Sequence, residues 1–471
     1  MRVATVAVGV LVTAAIITFY LHRYELSTLA VEHEAIKGWL AGDGLYAYRS
    51  PKNESGAALP PALALIAVPL TLLPLPAAGT LLALAGLAAL LLSTVIIAGP
   101  VARRHGYRRG PFVLATAGLA LLAEPVRAGI GLGRPELLIL ALLAADLVGL
   151  RRAARVRDRS LAALLRSRRS SGGRPRGSRL VHALRGCPGD PSESSKRSRR
   201  EVDTSGGGWR RIRANGAWAG AGTGLAVTFS ATALLFVVYL LVTRQRRAAL
   251  TALATAAAVT VGVLVVAPAE TLMWYGTTMW ELARPAPVSD IDNQALAGLM
   301  ARLYGFPAPP VLVWFAFGIL IVAVGLIRAR SAHTEGDEVA AFTLVGLTVA
   351  VAGPVTTAAE SLWLLPAILI LADAGLRRRR SLRPSRPSRP SRWIRFAGRP
   401  ARRTGTGHLT AAAVGYLLLV TAPEWSLRWN VPALALIVLV NTLPWRQGSP
   451  ARPAAHPVAH RRAAIPLPRG G

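Results

Sequence analysis

The sequence predicts an all-α polytopic membrane protein, a multi-helix bundle whose external first loop carries an interfacial helix. Two observations predict the class and a third predicts the loop. Apolar residues make up 52% of the 471 and are gathered in long runs rather than scattered. The basic residues, which leave a formal net charge of +32, are gathered between those runs. The stretch Tyr24–Pro51, YELSTLAVEHEAIKGWLAGDGLYAYRSP, is polar, acidic and aromatic in a chain otherwise apolar or basic.

A helix needs about 20 apolar residues to cross a bilayer, and lipid offers no partner to a bare backbone, so closed helices are the solution. Apolar runs occur at Val3–Tyr20, Ala57–Leu75, Ala78–Ala98, Phe112–Ala123, Leu137–Leu150 and Gly216–Val242. They continue at Ala248–Pro268, Pro310–Ile327, Val339–Val355, Ser361–Leu376, Leu409–Ala422 and Val431–Leu443. Together they read as roughly ten to twelve spanning or half-spanning segments. In a soluble protein this charge would point to nucleic acid. Here the arginines cluster in loops, the pattern that orients membrane helices, so nucleic acid is excluded and membrane lipid is the expected neighbour. Cys187 is the one cysteine, which excludes an intramolecular disulfide and a cysteine-based metal site. The eight histidines show no metal-ligand spacing, and no glycine loop beside a lysine cradles a nucleotide, so neither metal nor cofactor is expected.

Taken in order, residues 1–150 are N-terminal membrane helices. The first apolar run follows Met1-Arg2 with no small-residue cleavage site before His22, and reads as a retained helix running outward. That places the acidic loop 24–56 outside. Within it Thr28–Ala41 has helical spacing. Leu29, Ile36, Trp39 and Leu40 form one stripe, Glu34 and Lys37 point away, and Glu32 and His33 fall at the margins. Such a helix lies along the membrane surface with Glu32 near the bundle. Ala57–Leu75 and Ala78–Ala98 then read as a tight hairpin followed by Arg103, Arg104, Arg108 and Arg109. An outside loop, two full crossings and a cytoplasmic arginine cluster are mutually inconsistent. Either one member of the pair is re-entrant or the cluster lies outside against the rule. Phe112–Leu150 is broken by Glu124-Pro125 and by GIGLGR at Gly129–Arg134, leaving Glu124, Arg127, Arg134 and Glu136 at a helix break.

Residues 151–213 form a basic insertion with little apolar periodicity, expected to be disordered and cytoplasmic. Residues 214–376 are the central membrane helices. They open on GAWAGAGTGLA, whose small residues allow close helix contact, within a bent or re-entrant element. They include a second external loop at 269–309, with Trp274, Tyr275 and Trp280 as an interfacial belt. Val339–Val355 and Ser361–Leu376 make a hairpin whose outer turn is Thr356–Ser361. Residues 377–406 are a basic low-complexity cytoplasmic linker with a PSR repeat, 407–445 are C-terminal helices, and 446–471 are a disordered tail. Acidic residues are scarce here yet prominent in three external features: the first loop, the Asn/Gln loop and the Glu360 turn. Ionisable groups at or just above membrane depth are functional candidates.

The stretches KGWLAGDGLY with ALPPALALIAVPLTLLP, EPVRAGIGLGRPELLILALLAADL, WAGAGTGLAVTFSATALLFVVYLLVTRQRRAA, DNQALAGLMAR and AGPVTTAAESLWLLP stand in this order. On them the chain resembles glycosyltransferase family 87, bacterial integral-membrane mannosyltransferases of the GT-C type. The resemblance runs from about Tyr24 to Leu376 without the basic insertion. It implies a GT-C-like bundle in a bacterial plasma membrane. It also implies a polyprenyl-phosphate sugar as donor and transfer of a hexose, mannose first, to a lipid or glycan acceptor on the extracytoplasmic face. The departures are specific. The family's D-L-x-V-Y reads Thr28-Leu29-Ala30-Val31-Glu32, with Thr28 at the acid and Glu32 at the tyrosine. Its G-Q-x-N reads Gly133-Arg134-Pro135-Glu136, its lysine and proline read Ser230 and Ala233, and its paired histidines read Ala359 and Glu360.

Such a transfer needs a carboxylate base for the acceptor hydroxyl and donors for the departing phosphate. Glu32 is the expected base and Glu34 the alternative, each weighed against an ordinary surface charge, with Glu34 pairing to Lys37. Arg127 and Arg134 are the phosphate candidates, weighed against arginines that snorkel to an interface. Asn293, Gln294 and Arg302 are candidates for sugar hydroxyls, weighed against a loop cap. Glu360 stands in for the histidine pair, His33 assists the base, and Asp43 and Tyr46 of KGWLAGDGLY join them as substrate-binding candidates. Two other classes compete with a transferase. One is a non-catalytic membrane partner of envelope glycan assembly, favoured by the missing family residues. The other is a carrier for a lipid-linked sugar or anion, disfavoured because no internal repeat is visible.

Overall fold

The computed structural model describes residues 2–51, 55–171, 216–381 and 399–446, and among these it consists of helices joined by loops, with no strand. The chain runs α1 (Arg2–Tyr24), α2 (Ser27–Ala41), α3 (Pro61–Ala67), α4 (Leu75–His105), α5 (Arg109–Leu122), α6 (Glu124–Gly131) and α7 (Glu136–Ser171). After the undescribed stretch come α8 (Ala221–Phe229), α9 (Leu234–Val242), α10 (Arg246–Val266), α11 (Pro268–Gly276) and α12 (Leu296–Tyr304). The bundle closes with α13 (Val311–Thr334), α14 (Glu338–Ala352), α15 (Leu364–Ser381), α16 (Arg399–Thr421), α17 (Glu424–Arg428) and α18 (Val431–Thr442). Among the described residues four helices are long and apolar enough to cross a membrane. These are Leu75–His105, Arg246–Val266, Val311–Thr334 and Ala359–Arg380. The pair α5–α6, bent by 71°, has the form of a broken span or a re-entrant loop and is a fifth only if counted as one span, and there are shorter apolar helices of 10–17 residues. The protein is thus an all-α polytopic membrane protein.

The hairpin expected at 57–98 is corrected. Its first arm is only α3 and a 3-10 turn, Val68–Leu72. Prolines at 60, 61, 69 and 74 remove amide donors and prevent a longer helix. Those 12 residues reach about 18 Å, short of the roughly 30 Å of hydrocarbon. The chain therefore stays at one end of the bundle from Tyr24 to Pro74, and α4 alone crosses to Arg103 and Arg104. This first-arm correction removes the inconsistency in side.

The first part of the basic insertion is also corrected, because α7 continues as helix through Ser171. The rest of it, with Cys187, and the PSR repeat lie outside the described residues. The apolar stripe expected on α2 is altered as well. Leu29, His33, Ala35 and Ile36 are its buried residues, whereas Leu40 is 58% exposed beside the terminating Gly42. Trp274, expected in the interfacial belt, is buried against the Tyr46 ring, with ring centroids 5.9 Å apart.

The larger core joins α7, α8, α9, α14, α15 and α18 around Phe236, Tyr239 and Phe342. The Phe236 ring lies 5.5 Å from Phe342 and 5.3 Å from Trp363. Asp146 of α7 is fully buried, yet accepts from the amides of Gly222 (3.2 Å) and Thr223 (2.6 Å) and from the Thr223 hydroxyl (2.7 Å). It thereby caps the broken helix α8 from the side. At the basic end, Asp373 gathers Arg104 (2.9 Å), His105 (2.8 Å) and Arg377 (3.3 Å). Asp337 accepts from the Arg446 amide at 3.1 Å.

Candidate active site

The opposite end holds a cavity of about 670 Å³. Several segments meet there, among them parts of 48–63 and 274–286. Helix α2 contributes Thr28, Glu32 and Glu34. The turn before α7 contributes Arg134 and Glu136. The break between α8 and α9 contributes Ser230 and Thr232, and the turn before α15 contributes Thr357 and Glu360. Phe229, Ile139, Leu362 and Trp363 make an apolar wall toward the bundle interior.

The glycine-rich break brings α2 and the turn before α7 together. The amides of Leu26 and Leu29 donate to the carbonyls of Gly131 and Leu132, each at 3.1 Å, so the start of α2 is tied to the end of α6. Gly133 has φ +73° and faces Leu29, and a Cβ at Gly131 would collide with the Tyr24 ring. No larger residue permits this approach. The Tyr24 hydroxyl then donates to Glu124 at 2.7 Å.

Arg134 is the organising side chain. Its Nε donates to Thr28 Oγ1 at 3.3 Å, and its Nη1 donates to Thr357 Oγ1 at 3.4 Å and to Glu360 Oε1. The second Glu360 oxygen accepts from the Thr357 amide at 2.8 Å and from the Thr357 hydroxyl. Glu32 and Glu136 also lie in the field of this guanidinium. Three carboxylates thus surround one cation, and Glu136 Oε2 is buried without a hydrogen-bond partner. Burial, then the neighbouring Glu136 charge, pushes the Glu32 carboxyl up to about 8, against the pull of Arg134. Glu34 differs. Lys37, at 3.1 Å, and then His33 outweigh its slight burial and hold it below the usual carboxylate range.

The other sequence candidates lie away from this cavity. His33 is buried, with Nε2 3.3 Å from the Leu73 carbonyl. Asp43 is exposed at the end of α2, and the Tyr46 hydroxyl donates to the Leu59 carbonyl at 3.0 Å. Arg127 pairs with Glu124 and donates to the Val420 carbonyl at 2.8 Å. Asn293 ties two loops, donating to the carbonyls of Val288 (2.9 Å) and Pro354 (3.1 Å) and accepting from the amides of Ala295 (3.1 Å) and Thr356 (3.0 Å). Gln294 donates to the Ile291 carbonyl at 2.7 Å, and Arg302 donates to Asn430 Oδ1 at 3.1 Å. These three read as loop caps. Glu136, Thr28 and Thr357 enter the site instead. Glu136 carried one signal in the sequence, an acid immediately after a glycine-rich helix break. Among the described residues, no group of three His, Cys, Asp or Glu side chains is placed to hold a metal ion.

A helical membrane bundle with an acidic, guanidinium-centred cavity at one end is the class that fold and site define. The family model for glycosyltransferase family 87 matches residues 59–166 and 205–354, more than half of the chain, and the chain belongs to that family. Arg134, Glu136, Ser230 and Thr232 fall inside the matched residues, and Glu32 and Glu360 fall outside. Over 156 residues, 33% of this chain and 36% of the relative, it is 31% identical to a protein of Mycobacterium tuberculosis. That relative is the polyprenol-phosphate-mannose-dependent alpha-(1-2)-phosphatidylinositol mannoside mannosyltransferase. It is 26% identical to the protein of the same name from Mycolicibacterium smegmatis over 163 residues, 37% of that relative. The match spans little more than a third of the length of these curated relatives. No solved structure matches the chain.

Proposed function

We propose that this chain is a divergent membrane hexosyltransferase. It moves a sugar, mannose by analogy with its relatives, from a polyprenyl-phosphate donor to a hydroxyl of a lipid or glycan acceptor on the outer face of a bacterial plasma membrane. The observation that carries the reading is Glu32 on the cavity wall, beside Arg134 and one helical turn after Thr28, where the family resemblance expects an acid. In the transfer the acceptor O–H gives its proton to the Glu32 carboxylate, and the acceptor oxygen bonds to the sugar C1. The C1–O bond to phosphate breaks, and polyprenyl phosphate leaves with the electron pair. Ser230 and Thr232 line the same cavity and offer hydroxyls to sugar or phosphate oxygens. The apolar wall suits the first isoprene units of the donor.

Membranes carrying the chain are supplied with labelled polyprenyl-phosphate mannose and host lipid extract. Labelled product from wild type that is lost with Glu32→Gln supports the reading. Product unchanged by Glu32→Gln removes Glu32 as base. A second reading has its own support. Among the described residues lining the cavity, Arg134 is the one cation, and Glu360 already engages it, so the phosphate has no free counter-charge. Donor binding without turnover by wild type would make the chain a non-catalytic partner of envelope glycan assembly.

A further inference from the structure

We propose that Glu136 is a positioning residue that shares one proton with Glu32 across the cavity wall, so that Glu32 becomes a base only when the proton leaves the pair. The inference rests on the transferase reading for its kinetic consequence, but not for the pair itself.

Charge and hydrogen bonding carry it. Arg134 supplies one positive charge, and its Nε and Nη1 are committed to Thr28, Thr357 and Glu360. Glu360 has both oxygens satisfied. Glu32 and Glu136 are left in the same wall with no further cation, and Glu136 Oε2 is buried without a partner. With Arg134 already neutralised by Glu360, two ionised carboxylates in that position would leave two uncompensated negative charges, and buried unpaired charge is costly enough that the pair takes up a proton instead. Two like carboxylates in one site behave the same way, as a pair with a single retained proton.

The groups facing the pair from other elements do not remove the excess. Glu360 comes from the turn before α15 and adds negative charge. Glu34 and Glu25, the other acids lining the cavity, add none of the missing positive charge, and Lys37 is occupied by Glu34. Glu136 is the first residue of α7, where a side-chain oxygen can cap the helix, and a glutamine retains one. Glu136→Gln therefore removes the charge and leaves the cap.

The test has two readouts. In the transfer assay, wild type should gain activity as pH rises through the titration of the pair. Glu136→Gln should move that limb down by about one pH unit or more, because the like charge beside Glu32 is gone. Its maximal rate at high pH should stay well above that of Glu32→Gln, since the base itself is retained. An unmoved limb would reduce Glu136 to a helix cap, and loss of transfer at every pH would make it the base; either overturns the proposal. The second readout is infrared spectroscopy of the purified protein across pH, taken as wild type minus Glu136→Gln. A protonated-carboxyl band at neutral pH that is stronger in wild type than in the variant is expected, and an identical band in both overturns the proposal. Glu32→Gln gives the reciprocal reading from Glu136 if Glu136→Gln is recovered poorly. Wild type that shows the band but transfers nothing would sink the transferase reading and leave the shared proton standing.

Discussion

On the proposed function Glu32 would act as a base only when ionised, and its surroundings oppose ionisation. With its carboxyl raised to about 8, the charged fraction and hence the transfer rate should climb as pH rises from 6 through 8 and level off above about 9. A rate flat across that range would contradict the assignment. Loss of a general base typically costs about 10²–10⁴-fold, which is the loss expected for Glu32→Gln at the plateau. Arg134 is tested through its partner. Removing one member of a buried pair strands the other and costs about 3–5 kcal/mol, whereas removing both restores much of it. Arg134→Gln should therefore lower the thermal midpoint sharply, and the double variant with Glu360→Gln should recover part of the loss. Additive effects in that cycle would show that the two side chains are not coupled. Glu32 was visible in the sequence because its helix is local and its spacing is regular. Glu136 was visible only as an acid at a helix break and not as a site residue, because its importance comes from Glu32 and Glu360, each more than a hundred residues away, and from the absence of a donor at its own oxygen. Asn293 and Arg302 show the converse. Their residue types suit sugar binding, and only the fold shows their polar atoms engaged with Pro354 and Asn430.

The helices themselves were largely visible as apolar runs, but whether each one crosses was not. Hydrophobicity marks length and composition, whereas a crossing also needs an unbroken hydrogen-bond ladder, and the prolines around α3 remove it. The small residues of GAWAGAGTGLA announced close packing without naming the partners. The fold supplies them: a Cβ at Gly222 would meet the Leu142 carbonyl of α7, and one at Gly224 the Ala252 carbonyl of α10. Backbone cannot yield as a flexible side chain can. Gly222→Ala should destabilise by about 1–3 kcal/mol through overpacking. Asp146→Ala, which strands the amides of Gly222 and Thr223, should cost about 3 kcal/mol. Thermal melts of the detergent-solubilised protein measure both, and a melt unchanged by Asp146→Ala would deny the cap its role. Either change should also loosen Ser230 and Thr232, which follow α8 directly into the cavity wall.

Charge is divided between the two ends of the bundle, and that division sets where the cavity faces. Arg104, His105 and Arg377 gather on Asp373 at one end, while Glu32, Glu136 and Glu360 gather on Arg134 at the other. Basic residues near helix ends are retained on the cytoplasmic side, so the cavity end should face outward, the side on which the proposed function has a lipid-linked donor meet its acceptor. The single cysteine makes this measurable. On a Cys187→Ser background, Asp43→Cys marks the exposed end of α2, the helix whose other residues line the cavity, and Thr334→Cys marks the exposed end of α13 at the basic end. A membrane-impermeant maleimide applied to intact cells should label the first and spare the second, and permeabilised cells should label both. The reverse pattern would place the cavity in the cytoplasm. It would also strip the polyprenyl-phosphate reading of its geometric basis, because the acidic wall would then face soluble sugar nucleotides for which the chain has no phosphate-cradling loop.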